Sequence, residues 1–350
     1  MRRFLTRWQM LRAIGILAAG CAAGAPRAQA ATLTVTNLTD NSTVNGCTEA
    51  NVGNGCSLRE AIVAANATPN VADDIIFPSY LSSGYIQLTR VLPDIKGSLS
   101  ITNSSFNVRP ISLLRLNAQG VGNFRILRVN NGTQNGPTVT ISGLTISNGY
   151  VGYDSTTGSA GGGVLNNGGA LTLTNCNISD NAAADSGGGV ATEGGMLTLT
   201  NCTVTRNTNG QEGGGNGGGG VSNYDGEVTL INTTLSGNYG IIGGGLYSTN
   251  AATLTNCTVS GNTGGIAEGG LAITGTNTVS NCTITGNATG ANDGGGIDLG
   301  SGSTTFSSNI IAGNTKSDVD LYPNVTHNHV SRGYNLVGIS DTNALTFFTQ

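Results

Sequence analysis

LTLTNCNISDN at residues 171–181 returns almost unchanged as LTLTNCTVTRN at residues 197–207. A unit closed by the same asparagine recurs along the chain, every 24 to 33 residues, at Asn148, Asn181, Asn207, Asn238, Asn262, Asn287 and Asn314. A constant unit with loops of variable length between its copies is typical of a solenoid. The fold is therefore expected to be a stack of similar coils.

Apolar residues alternate within each unit, as Leu171 and Leu173 and then Cys176 and Ile178, and period two predicts β-strands. The alternation slips by one residue at Asn175, where the left-handed conformation that asparagine tolerates would bend the chain and keep its apolar side inward. A third strand is predicted after each glycine run. Three strands per coil predict an all-β fold, a right-handed single-stranded parallel β-helix.

Equivalent side chains of stacked coils should form ladders, because neighbouring strands lie about 4.8 Å apart. Six asparagines are expected to stack their amides: Asn181, Asn207, Asn238, Asn262, Asn287 and Asn314. Four cysteines share one inward position, interrupted by Thr233: Cys176, Cys202, Cys257 and Cys282. We interpret them as buried thiols, with a disulfide between neighbours such as Cys176 and Cys202 as the alternative.

The first 30 residues are typical of a secretory signal peptide. Four arginines precede an apolar run from Ala13 to Ala23, and Ala28-Gln29-Ala30 supplies a cleavage site. A lipoprotein site at Cys21 is the alternative. Without its five leader arginines the chain keeps 10 basic and 19 acidic residues, a net charge of −9. This charge argues against nucleic acid as a partner, and no segment after the leader is long and apolar enough to span a membrane.

Residues 31–75 are expected to cap the rod, before β-helix repeats at 76–315 and a C-terminal coil and loop at 316–350. In CSLREAI at residues 56–62, Ser57 and Glu60 form a capping box at the start of a short amphipathic helix. Such a helix would cover the apolar end of the first coil. Cys47 and Cys56, in a glycine- and asparagine-rich loop of an exported protein, are expected to form a disulfide.

CSLREAI closely resembles the signature of bacterial secreted proteins with a CSLREA domain. NIIAGN at 309–314 and GYNLVG at 333–338 resemble the choice-of-anchor Q type of β-helix protein. The repeats are also similar to those of chlamydial polymorphic outer membrane proteins. These resemblances imply a surface or extracellular β-helix with an adhesive role, and they supply no catalytic residues.

Candidate sites for chemistry are sparse. His327 and His329 are the only histidines and stand in a polar loop, so no metal or cofactor is expected. A polysaccharide lyase needs basic residues, yet Arg206 is the only one between Asn130 and Thr315. A glycoside hydrolase needs two carboxyl groups, for which Asp298, Glu268 and Asp293 are weak candidates.

The favoured function is a non-catalytic module, secreted or on the cell surface and monomeric, that presents its loops to a glycan, a cell wall or a surface protein. The longest insertions, after Asn148, Asn207 and Asn314, are the expected contact surfaces. A β-helix hydrolase is the first alternative. Ice binding is the second, because an outward row of threonines is predicted at Thr172, Thr198, Thr229, Thr253, Thr278 and Thr305.

Overall fold

The computed structural model describes residues 29–40, 47, 55–81, 83–130, 132–133, 136–153, 158–210, 215–290, 294–322, 328–338 and 348. Residues 1–28 of the expected signal peptide, with Cys21, lie outside these residues, as do Asp293 and His327.

The chain begins with short strands and a helix that lead into the repeats. In order these elements are β1 (Thr32–Thr34), α1 (Leu58–Asn66), β2 (Asp73–Phe77), β3 (Gly84–Leu88), β4 (Leu99–Asn103), β5 (Ile111–Arg115), β6 (Leu127–Val129), β7 (Thr138–Ser142), β8 (Leu144–Ser147) and β9 (Tyr150–Val151).

The repeats that follow share one pattern of short strands. They contain β10 (Val164–Asn167), β11 (Ala170–Thr174), β12 (Asn177–Ser179), β13 (Ala182–Ala183), β14 (Val190–Glu193), β15 (Met196–Thr200), β16 (Thr203–Thr205), β17 (Thr208–Asn209), β18 (Val221–Tyr224), β19 (Glu227–Ile231), β20 (Thr234–Ser236), β21 (Tyr239–Gly240), β22 (Leu246–Ser248), β23 (Ala252–Thr255), β24 (Thr258–Ser260) and β25 (Thr263–Gly264).

The last coils merge some of these strands into longer ones. They contain β26 (Leu271–Ser280), β27 (Thr283–Thr285), β28 (Ala288–Thr289), β29 (Ile297–Ser307), β30 (Ile310–Ile311), β31 (Val319–Leu321), β32 (Val330–Ser331) and β33 (Leu336–Val337).

Parallel pairing between successive coils builds three sheets of 17, 10 and 6 strands. The pairing is in register, so that Leu171 lies beside Leu197 and Thr172 beside Thr198. The architecture is that of a parallel β-helix. Its sheets extend on both sides of the range 76–315, because β1 and β2 pair before it and β31 to β33 pair after it.

Six coils of the described chain hold one strand more than the sequence predicts. The additional strand has two residues and follows the closing residue of the coil, which is Gly149 before β9 and an asparagine before the others. These strands form the six-stranded sheet of β9, β13, β17, β21, β25 and β28. Two residues are too few to show an alternation of apolar and polar side chains, so the pattern of period two could not reveal this strand.

One continuous core fills the rod, from Leu33 near its start to Val319 near its end. The row of Leu173, Leu199, Leu230 and Leu254 is fully buried, and Phe306 extends it. Each such side chain stabilises the fold by roughly 1.5 to 3 kcal/mol relative to exposure.

The coils turn where the alternation of the sequence slips. Asn175, Asn201, Asn232, Asn256 and Asn281 have φ between 50° and 55°, the left-handed conformation. A second left-handed residue precedes each closing asparagine, such as Asp180 with φ 58°. Asn148, with φ 59°, occupies this second position. The register therefore places Gly149 opposite Asn181, and the sequence alignment on Asn148 was wrong by one residue.

The closing asparagines are stacked inside the rod. The side-chain oxygen of each accepts hydrogen bonds from the backbone N–H and the side-chain amide of the asparagine one coil earlier, at 2.8 to 3.1 Å. The stack begins at the backbone N–H of Gly149, which donates to Asn181. It ends at Asp318, whose carboxylate accepts both hydrogen bonds from Asn314. No repeated pattern of the sequence predicts this terminal acceptor, because Asp318 stands only four residues after Asn314.

Helix α1 packs against β1 and β2. Its residues Leu58, Ala61, Ile62 and Ala65 belong to the core, and Ser57 and Glu60 form a capping box. In the described part of the chain no helix is both long enough and apolar enough to cross a membrane.

Candidate functional site

The outward side chains of the first strand of each repeat form rows across the coils. Asn167, Glu193 and Tyr224 end the strands β10, β14 and β18 and lie in register. In a neighbouring row, Ser222 on β18 lies beside Tyr247 on β22. Because successive coils are about 4.8 Å apart, Asn167, Glu193, Tyr224 and Tyr247 form one patch, whereas Ser222 is buried beneath it.

A groove of about 830 Å³ lies over this patch. Its lining includes glycine backbone, Ser186 and seven larger polar side chains: Asn167, Asp185, Glu193, Asn216, Tyr224, Asp225 and Tyr247. We name it the tyrosine groove. A concave surface with convergent polar groups is the usual form of a binding site.

One wall of the tyrosine groove comes from loops. Asp185 and Ser186 follow β13, and Asn216 lies in the insertion after Asn207. The two loops approach closely, because a Cβ atom on Gly215 would lie 2.5 Å from the carbonyl oxygen of Asp185. Gly215 has φ 155°, so both the space and the backbone favour glycine.

The floor of the groove carries two tyrosines in contact. The ring centroids of Tyr224 and Tyr247 are 5.3 Å apart, with ring planes inclined by 58°. Burial raises the pKa of both phenols, and each has a neighbouring tyrosine that raises it further. Both therefore remain neutral and present an apolar ring together with a hydroxyl group.

Three of the described lining residues carry carboxyl groups, namely Asp185, Glu193 and Asp225. Partial burial raises the pKa of Glu193, although its side chain still reaches solvent. The positive charge of Arg125 opposes this rise, and the negative charge of Asp185 adds to it. Arg125 is itself buried, and its Nη2 donates to the carbonyl oxygen of Gly158 at 2.7 Å.

The acids that the sequence offered for hydrolysis lie elsewhere. Glu268 and Asp298 are 2% and 7% exposed, and neither lines the tyrosine groove. Asp298 is in register with Ala272 and Asp320 of the adjacent coils. A signal for the groove was present in the sequence. The strand after each glycine run begins with an apolar residue, and the residue three positions later faces the groove: Glu193 follows Val190 in this way, and Tyr224 follows Val221.

The inward cysteines are thiols. Cys176, Cys202, Cys257 and Cys282 are free and buried. Each donates to the carbonyl oxygen two residues earlier, at 3.2 to 3.4 Å. Hydrogen bonding to Cys176, together with burial, raises the pKa of Cys202. The row continues with Asn309, whose side-chain oxygen accepts from the N–H of Cys282.

The structure also shows the surroundings of the cysteine pair and of one histidine that the sequence singled out. Cys47 and Cys56 form a disulfide next to the start of α1. The Nδ1 of His329 accepts a hydrogen bond from the N–H of Thr304 at 3.1 Å. Among the described histidines, cysteines and acids, no group of three could hold a metal ion.

Comparisons with known proteins address the fold. The family described as the right-handed beta helix region matches residues 125–292. The matched residues lie within the parallel β-helix that the structure shows. A search of the curated proteins finds no match to this β-helix sequence.

Three solved structures resemble the β-helix at low identity. The A-module of the mannuronan C-5 epimerase of Azotobacter vinelandii has 15% identity and a TM-score of 0.42, with 75% of this chain and 76% of that chain covered. A pectate lyase has 13% identity and a TM-score of 0.39, with coverage of 91% and 80%. The Dettilon tailspike protein has 13% identity and a TM-score of 0.39, with coverage of 79% and 62%.

Proposed function

We propose that this β-helix is an exported, monomeric, non-catalytic module that binds polysaccharide in the tyrosine groove and so attaches to a glycan-bearing surface. The observation that carries the proposal is the position of Tyr224 and Tyr247 in one groove with carboxyl and amide side chains. The C–H faces of a sugar ring pack on aromatic rings, and its hydroxyl groups donate to carboxylate and amide oxygens.

The rigid coils support this use of the surface. In-register strands fix the spacing of Asn167, Glu193 and Tyr224, so little conformational entropy is lost when a ligand binds. The long direction of the rod also suits a chain-like ligand. The disulfide and the candidate leader favour a location outside the cytoplasm, with cell wall or a surface protein as other partners.

Helix α1 is proposed to cap the rod. Leu58 and Ile62 are fully buried against the core beside β1 and β2, the first strands of the large sheet along the chain. A capped end prevents the first coil from pairing with other chains. Whether the cap belongs to a CSLREA domain and a choice-of-anchor Q protein stays a prediction from the resemblance.

Affinity electrophoresis through gels that contain single polysaccharides tests the binding proposal. We expect retardation by at least one polysaccharide, loss of it in Tyr224→Ala and Tyr247→Ala, and no loss in Tyr85→Ala. Tyr85 is 63% exposed on β3 and does not line the groove. Retardation unaffected by the groove substitutions would contradict the proposal, and release of reducing sugar would contradict its non-catalytic part.

Ice binding is a second candidate, favoured by the register of the threonines. Thr140, Thr172, Thr198, Thr229, Thr253, Thr278 and Thr305 form one continuous half-buried row. Inhibition of ice recrystallisation that is lost in Thr198→Tyr but kept in Thr203→Tyr would support this candidate. Thr203 is exposed on the ten-stranded sheet and serves as the matched control.

A further inference from the structure

We infer that the tyrosine groove selects polysaccharides that carry positive charge, namely chains of amino sugars whose amines are not acetylated. This inference rests on the proposed polysaccharide binding and adds the chemical class of the ligand.

The charge of the groove lining is negative. Asp185, Glu193 and Asp225 contribute carboxyl groups, and no lysine, arginine or histidine is among the described residues of the lining. The insertions do not change this balance, because Arg206 is the only basic residue from 131 to 314 and that range holds ten acids. Arg206 pairs with Asp180 at an exposed corner, with Nε 2.7 Å from Oδ1.

A uronate polymer is disfavoured by the same charges. Its carboxylates would face those of the groove, and the one guanidinium near Glu193 belongs to the buried Arg125. Like charges brought together without water between them repel strongly, since the screening by solvent is reduced. A polymer with ammonium groups would instead form an ion pair with each carboxylate that it meets.

A metal ion fits the groove less well than a polycation. No three described acids, histidines or cysteines lie close enough together to hold a metal ion. Asp185 and Glu193 come from one coil and Asp225 from the next, so their charges are distributed along the groove. Distributed single charges match a polymer that carries one amine per sugar.

The tyrosines favour a glycan over a basic peptide. Tyr224 and Tyr247 form an apolar surface in the groove, next to the carboxyl groups of its lining. Sugar rings have flat C–H faces that cover such a surface, whereas lysine side chains present flexible stems whose ordering costs entropy. The groove therefore combines ring packing with charge pairing.

Titration calorimetry with soluble hexamers tests the inference. The probes are the glucosamine hexamer, the N-acetylglucosamine hexamer, a galacturonate hexamer and hexalysine, at a pH at which the glucosamine amines are protonated. We expect the glucosamine hexamer to bind about tenfold more tightly than the acetylated hexamer. Asp185→Asn and Asp225→Asn should each weaken its binding by up to about fivefold, and Asp74→Asn, at an exposed position on β2, should not.

The outcomes of this experiment distinguish a failure of charge selection from a failure of polysaccharide binding. If the acetylated or uronate hexamer binds as tightly as the glucosamine hexamer, and Tyr224→Ala weakens that binding, charge selection is wrong and polysaccharide binding stands. If hexalysine binds as tightly through the carboxylates and without the tyrosines, the ligand class is wrong. If no hexamer or gel-borne polysaccharide binds, the proposed function is wrong as well. Melting temperatures of all variants establish that each is folded.

Discussion

The side-chain oxygen of Asn207 accepts two hydrogen bonds from Asn181, one from its backbone N–H and one from its side-chain amide, both at 3.0 Å. The amide of Asn207 in turn donates to Asn238 and to the carbonyl oxygen of Ile178. Each member of the stack therefore joins three coils. Removing one member leaves buried donors and acceptors on both sides without partners.

Asn238→Ala is expected to lower the free energy of unfolding by about 3 kcal/mol. The substitution removes the acceptor of the Asn207 N–H and side-chain amide, and the donor to the carbonyl oxygen of Val204. Each buried group without a partner costs about 1 to 3 kcal/mol. Urea denaturation measures the change, and Asn177→Ala on the exposed surface is the control. Equal stability of the two variants would show that the stack does not stabilise the fold.

Substitutions of Asn201 test the left-handed corner. With φ 54°, this residue occupies a conformation that glycine adopts freely and that β-branched residues avoid. We expect Asn201→Gly to be within about 1 kcal/mol of the native stability and Asn201→Val to lose about 2 kcal/mol more than Asn201→Gly. Thermal unfolding compares the two, and a valine variant as stable as the glycine variant would contradict the role of the corner.

Arg59→Ala is expected to destabilise the N-terminal module by roughly 3 kcal/mol or more. Arg59 on α1 forms a buried ion pair with Asp40, at 2.7 Å, and donates to the carbonyl oxygens of Arg90 and Val91. Loss of one partner of a buried pair leaves the other charge uncompensated. Hydrogen exchange should show faster opening of α1 than in the native protein. Arg128→Ala, which removes a more exposed ion pair with Asp94, should have a smaller effect.

The stability of the fold should depend on the charge of Glu193. Because the folded-state pKa of Glu193 is raised, the folded protein holds this proton more tightly than the unfolded chain. Stability is therefore lost as the pH rises from about 4.3, the ordinary pKa of a glutamate, through the raised value. Glu193→Gln should have a higher melting temperature than the native protein at pH 7 and the same one at pH 3.

The control for this comparison is Glu227→Gln, at an exposed position outside the groove. A gain in melting temperature of Glu193→Gln that is equal at pH 3 and pH 7 would exclude the titration of this carboxyl group as its cause. Arg125 and Asp185 are the charged groups that shift the pKa of Glu193, so their substitution should move the pH range over which stability is lost.

The β-helix could be predicted from the sequence because the patterns that determine it are local and repeat from coil to coil. Apolar residues at alternate positions, asparagine at the corners from Asn175 to Asn281 and glycine before the strands from Val164 to Ile297 recur from coil to coil. The stacked position of Asn181 and Asn207 follows from that recurrence alone. The alignment failed at Asn148, where glycine follows and no closing asparagine exists in the coil.

The tyrosine groove could not be predicted from the sequence in the same way. It depends on which outward side chains of different coils become neighbours, such as Glu193 and Tyr224, and on the paths of loops at 184–186 and 215–217. These features do not repeat. The acids next to the glycine runs, Glu268 and Asp298, are largely buried, and the acids that line the groove stand at strand ends and in loops.

Asp318 gives the asparagine stack a direction and an end. The side-chain carboxylate of Asp318 only accepts from the stacked asparagines, whereas Gly149 at the opposite end, which has no side chain, only donates to them through its backbone N–H. If a repeat were duplicated between these two residues, the closing asparagine of the new coil would accept from the coil before it and donate to the coil after it. The stack can therefore be lengthened from within, by repeats inserted between Gly149 and Asp318.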